Sequence, residues 1–111
     1  MAEDRARYDL QIYKGATYRK SATWTVDGEP EDFTDCIIRA QIRKRENGPL
    51  VTEFEIDSIP TEGVVILELS AEQTARMNPG VYVWDLKIID TDEIVRYDLY
   101  GKVTVTGRST E

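Results

Sequence analysis

Apolar side chains in this sequence recur at every second position, in short runs separated by Gly, Pro, Asp and Asn, and that period limits its fold more than any other feature. A period of two suits a β-strand with one dry face, whereas a helix needs spacings of three and four. Tyr8, Leu10 and Ile12 alternate with Arg7, Asp9 and Gln11 until Lys14-Gly15 breaks the run. Tyr18, Ala22, Trp24 and Val26 share the next apolar face, Cys36, Ile38, Ala40 and Ile42 the third, and Leu50, Thr52, Phe54 and Ile56 the fourth. Val65, Leu67 and Leu69 mark a fifth strand, Tyr82, Trp84, Leu86 and Ile88 a sixth, and Val95, Tyr97, Leu99, Val103 and Val105 the last and longest.

The breaks between runs have turn chemistry. Asp27-Gly28 with Pro30 makes residues 27–35 a loop, Asn47-Gly48-Pro49 ends the third run, and Asp90-Thr91-Asp92 closes a hairpin. The period changes once, where Ser70-Ala71-Glu72-Gln73 fits a capping box and Asn78-Pro79-Gly80 stops the helix within about two turns. Gly101 sits where the last strand is expected to bulge. These elements describe an all-β fold: an antiparallel two-sheet β-sandwich of immunoglobulin-like character with one short helical turn near residues 71–77. The expected domain spans residues 8–105, with short polar ends at 1–7 and 106–111, and Trp24, Trp84, Leu86, Tyr97 and Leu99 mostly buried.

Composition narrows the chemistry. Histidine is absent, which removes Ser-His-Asp and Cys-His triads and nearly every mixed-ligand zinc site. A lone Cys36 cannot pair within the chain and is expected as an inert strand residue. With 21 acidic against 14 basic residues the net charge is −7, which argues against nucleic acid and anionic membrane as partners. No apolar run approaches the roughly 20 residues of a membrane span. Met1-Ala2-Glu3-Asp4 opens on charge with no apolar stretch behind it, so synthesis in a cytoplasm without a cleaved leader is expected.

Several residue groups merit weighing as sites. Glu53 and Glu55 share one outward strand face, about 7 Å apart by strand rise, a spacing compatible with a pair of glycosidase carboxylates. No apolar pocket flanks them to raise one pKa, so no catalytic residue is expected and the chain reads as a non-enzyme. Asp27, Glu29, Glu31, Asp32 and Asp35 in one loop, and Asp90 with Asp92 in another, supply oxygen ligands of the kind calcium takes, but without EF-hand spacing. No metal or cofactor is expected. The informative anomaly is apolar residues on the wrong face. Ile37, Val81, Val83 and Tyr100 point away from the core on neighbouring strands, surrounded by Arg39, Asp85, Lys87 and Arg96. An apolar centre with a charged rim is the composition of a docking face, so these eight are the candidate partner-binding residues.

Ordered along the chain, Tyr8-Asp9-Leu10, Lys14-Gly15-Ala16-Thr17, Thr23-Trp24, Asp27-Gly28-Glu29-Pro30 with Asp32-Phe33-Thr34, Ala40-Gln41-Ile42-Arg43, Leu69-Ser70-Ala71-Glu72-Gln73-Thr74, Gly80-Val81-Tyr82 and Gly101-Lys102-Val103-Thr104-Val105 form a series. In this it resembles small phage and prophage proteins similar to the N-terminal domain of the baseplate upper protein. The resemblance implies a structural virion protein, a tail or baseplate adaptor that docks other virion proteins or further copies of itself, located in the particle. A capsid decoration protein, or a sandwich that holds a carbohydrate or peptide at its loops, are the alternatives. For the last, Phe33 is the only loop aromatic.

Overall fold

Alternating runs fold as strands when one face of each is covered, and here two sheets cover each other. A computed structural model describes residues 6–107. The large sheet is six-stranded. β1 (Ala6–Arg7) and β2 (Leu10–Tyr13) both lie on β11 (Val95–Thr106), followed by β10 (Gly80–Ile89), β6 (Ile37–Arg43) and the edge strand β7 (Leu50–Glu53). The facing sheet has β3 (Tyr18–Thr23), β9 (Val64–Leu69) and β8 (Glu55–Ile59), in that order. A small ribbon pairs β4 (Thr25–Val26) with β5 (Glu29–Pro30) across a turn in which Asp27 and Gly28 take φ of 54° and 85°. Leu10, Ile12, Ala40, Ile42, Val65, Leu67, Leu69, Leu86, Ile88, Val103 and Val105 meet in the core. Each such aliphatic side chain, once dry, contributes about 1.5–3 kcal/mol. The all-β sandwich is therefore what the alternation encodes.

Four local features depart from the sequence expectation, each for a physical reason. First, β1 and β2 run parallel to β11, not antiparallel; alternation is identical in the two arrangements and does not distinguish them. Second, the run from Leu50 to Ile56 is two strands, because buried Phe54 turns the chain from the large sheet into the small one. Third, the bulge lies at Asp98, where the register with β10 jumps from Leu86↔Leu99 to Lys87↔Tyr97. The extra residue reverses the phase, so Tyr97 and Val95 face solvent, Tyr97 at 45 % exposure, and only Leu99 onward keeps the expected inward face. Fourth, Gly101 stays in regular register opposite Trp84, and its missing side chain serves another end: a Cβ there would collide with the backbone carbonyl of Tyr8, which crosses directly over it.

The helix is short and firmly tied. α1 (Ala71–Ala75) begins with the expected capping box, Ser70 Oγ accepting from Gln73 N at 3.0 Å and Gln73 Oε1 accepting from Ser70 N at 2.9 Å. Gln73 Nε2 also donates to Thr52 Oγ1 and to the Glu53 carbonyl, tying α1 to the edge strand β7. At the other end Lys14 Nζ donates to the carbonyls of Ala75 and Met77, the position where a helix favours a cation. Fully buried Thr74 closes the contact by donating to Ala16 O and accepting from Gly15 N. Among the described residues no helix is long and apolar enough to cross a membrane.

Candidate functional site

The outer face of the large sheet is built by register. Moving along β10, Ile89 is flanked by Ile37 and Val95, Lys87 by Arg39 and Tyr97, Asp85 by Gln41 and Tyr100, and Val83 by Arg43 and Lys102. This face holds a depression of about 1060 Å³. Among the described residues five cations line it, Arg7, Arg39, Arg43, Lys87 and Lys102, against two carboxylates, Glu46 and Asp85. Such a surplus stands out on a chain whose net charge is −7.

Pairing divides the five. Arg39 forks onto Glu53 with Nε–Oε2 at 2.8 Å and Nη2–Oε1 at 3.1 Å. That bidentate contact lowers the Glu53 carboxyl pKa and raises that of Arg39. Arg7 leans on Asp9 at 3.1 Å. Asp9 is held below the usual carboxylate range, chiefly because its Oδ1 also accepts from Lys102 N at 2.9 Å. Arg43 donates to neutral acceptors, the Gly48 carbonyl and Gln41 Oε1. Lys87 and Lys102 form no ion pair among the described residues. Arg43, Lys87 and Lys102 therefore stand outside direct ion pairs among the described residues, Lys87 acting on Glu53 and Lys102 on Asp9 only through space, with Tyr97, Tyr100 and Val83 between them.

The expected docking residues distribute unevenly over this face. Arg39, Val83, Asp85, Lys87 and Tyr100 line the depression. Ile37 and Val81 share the face but lie at its two ends, Ile37 in register with Ile89 and Val81 with Thr104. Arg96 does not belong to the rim. Standing beyond the bulge, opposite inward-facing Ile88, it places Nε at 3.0 Å from Asp98 Oδ1 and pairs its other arm with Glu31. Tyr97 joins the site because the bulge flips it outward. Arg7 and Lys102 join because β1 and β11 run side by side; outward-facing alternation at Lys102 was the only available signal.

The other candidates resolve into structural roles. Glu53 and Glu55 fall on different sheets, separated by the turn at Phe54, so they share no face. In the 27–35 loop Glu31 is engaged by Arg96 and Asp32 Oδ1 accepts from Thr34 N and Thr34 Oγ1, which lowers its pKa. Asp90 Oδ1 accepts from the amides of Asp92 and Ile94. Among the described residues no three Asp, Glu or Cys side chains gather as a metal-ligating group. Phe33 is 2 % exposed under Trp24, so it offers no ring to a ligand at the loop tips.

Comparison with known proteins places this architecture in a wider setting. Among solved structures the chain is similar to CopC from Methylosinus trichosporium OB3b, with a TM-score of 0.53 at 13 % identity over 92 % of this chain and 89 % of that one. No family model and no curated protein matches. At that identity the likeness shows a shared sandwich fold alone. It also corrects the functional expectation. The role of structural virion protein, in tail, baseplate or capsid, does not stand, because the likeness found is to CopC and not to a virion protein. The motif series that suggested it has local causes: Asp27-Gly28 makes a tight turn, Ser70-Gln73 caps a helix, and Gly101 makes room for Tyr8.

Proposed function

We propose that this chain is a non-catalytic docking module that binds an acidic protein surface on the outer face of its six-stranded sheet. One observation carries the reading: Arg43, Lys87 and Lys102 line a single depression and none of them enters a direct ion pair among the described residues, while the chain as a whole is acidic. Tyr97, Tyr100 and Val83 add the apolar contact that gives a charged interface its affinity, since exposed charge alone is screened within about 8 Å at physiological salt. A protein surface suits this face better than nucleic acid does. Phosphate backbones demand an extended run of cations, and two of the cations on this face, Arg7 and Arg39, are already held by Asp9 and Glu53.

The test is binding of a fluorescent oligoglutamate peptide, with an oligothymidylate of equal charge beside it. The peptide is expected to bind at low salt and to lose about tenfold or more in affinity, worth about 1.4 kcal/mol, in a Lys87→Glu, Lys102→Glu variant that retains its near-ultraviolet circular dichroism. Equal binding by parent and variant would overturn the assignment of the face, and tighter binding of the oligothymidylate would overturn the partner class.

A further inference from the structure

The two outer faces of the sandwich carry opposite charge. On the small sheet, Glu55 of β8 is in direct register with Glu68 of β9, and Asp57 is opposite Ile66. On the large sheet Arg39 is in direct register with Lys87. Like charges set opposite each other across a strand pair destabilise a sheet. Each face neutralises one member internally, Glu68 through Arg19 at 3.1 Å and Arg39 through Glu53 at 2.8 Å. The other member, Glu55 on one side and Lys87 on the other, has no ion pair among the described residues. Apolar groups accompany both: Ile59 at 44 % exposure with half-buried Val64 and Ile66 on the acidic face, and Tyr97, Tyr100 and Val83 on the basic one.

We propose that the acidic surface taken by the basic depression is the outer face of the small sheet of a second copy, so that copies join head to tail. This rests on the docking reading above and names the partner for it. Bringing the faces together sets Lys87 and Lys102 against Glu55 and Asp57, charges of opposite sign. The dimensions agree, because three strands at about 4.8 Å spacing span about 14 Å, narrower than the sheet that receives them. A contact between two different faces is heterologous, so it leaves one face of each kind open and continues into a ring or an open chain. A three-stranded face is also smaller than the roughly 800 Å² per partner of stable interfaces, so the association is weak, concentration-dependent and sensitive to salt.

Sedimentation velocity on three proteins tests this: the parent, a basic-face variant (Lys87→Glu, Lys102→Glu) and an acidic-face variant (Glu55→Lys, Asp57→Lys), each checked for folding by near-ultraviolet circular dichroism. The neutral pairs Lys87→Gln with Lys102→Gln and Glu55→Gln with Asp57→Asn replace any reversal that does not fold. The parent is expected to gain mass with concentration at low salt and to return to monomer at high salt. Each variant alone should be monomeric; an equimolar mixture of the two reversals should associate again, since the intact faces match and the two reversed faces match in turn, whereas a mixture of the two neutral variants, which keeps one productive pair of faces, should stop at a dimer. A parent that is monomeric at every concentration overturns the proposal, as does a variant that still associates alone. If that monomeric parent still binds oligoglutamate, the docking face survives and the second copy as its partner does not; if it binds neither, both readings fall.

Discussion

Two tryptophans anchor this sandwich, and they are held by opposite kinds of chemistry. Trp84 stands in the middle of regular β10, 3 % exposed, edge-on to Phe54 at 6.0 Å, and its indole Nε1 donates to the Tyr8 carbonyl at 2.7 Å. Both of these partners are neutral, and Gly101 beside it lets the Tyr8 backbone approach. Trp24 interrupts its strand between β3 and β4, is half-buried, and donates its Nε1 to Asp98 Oδ2 at 3.0 Å. That carboxylate sits at the bulge, 6 % exposed, and is held in turn by Arg96, whose other arm reaches Glu31. The first anchor fastens the N-terminal segment to the sheet through dry packing. The second fastens the β4–β5 ribbon to β11 through charge. A regular strand allows the first; the bulge, by turning Asp98 inward, creates the need for the second.

The largest effect should come from the neutral anchor. Trp84→Ala removes a fully buried ring and leaves the Tyr8 carbonyl without a donor, and should cost about 3–5 kcal/mol, a large part of the stability of a small domain. Trp24→Ala removes a ring that is already partly wet and should cost clearly less. Urea denaturation of both variants measures the difference. Equal losses would mean that the two anchors share one packing unit, contrary to the contrast drawn between them.

The charged anchor should respond to chemistry as well as to size. Asp98→Ala strands the Trp24 N–H and removes an ion-pair partner from Arg96, and should cost about 1–3 kcal/mol. Arg96 keeps Glu31 and is partly solvated, so the full energy of a buried ion pair is not at stake. Asp98→Asn keeps an oxygen for the indole and should lose less than half as much. A neutral Asn that costs as much as Ala would show that the carboxylate charge, and not the hydrogen bond to Trp24, holds the ribbon. The same denaturation series, extended by these two variants, decides it.

The same contrast explains what could be read from the sequence. β10 and β9 follow strict alternation, and every inward residue named on them is buried, because nothing interrupts the period. On β11 the alternation is equally clean in the sequence, yet the residue at Asp98 shifts the phase of Val95 and Tyr97. The shift depends on a partner 74 residues away, the Trp24 indole, that no local pattern encodes. The docking face suffers from the same cause. Arg39, Val83, Asp85, Lys87 and Tyr100 were legible because they lie on regular strands. Tyr97 and Arg96 exchanged places because they lie beyond the bulge, and Arg7 was missed because parallel pairing of β1 with β11 leaves no trace in hydrophobic period. The virion role rested on turn and cap residues that many sandwiches need, and such residues report how a chain turns, not what it binds.

The smallest effect concerns Cys36, which packs against the core at the charged end of the molecule and senses the carboxylates there. Burial, first, raises the pKa of its thiol; the neighbouring charge of Asp90 adds to this, with Glu31 and Asp32 contributing less, and Arg96 opposes them. A raised thiol pKa means less thiolate at any given pH, and the thiolate is the reactive form. Alkylation by neutral iodoacetamide at pH 8 should therefore run slower than on an unstructured cysteine peptide. Two further measurements separate the causes. Added salt screens Asp90, Glu31 and Asp32 but leaves desolvation untouched, so the rate should rise only slightly. Asp90→Asn should raise it by a similarly small factor. A rise to the peptide's rate in high salt would show that charge, not burial, restrains this thiol, and the second anchor's electrostatic field would then extend farther from Asp98 than its contacts indicate.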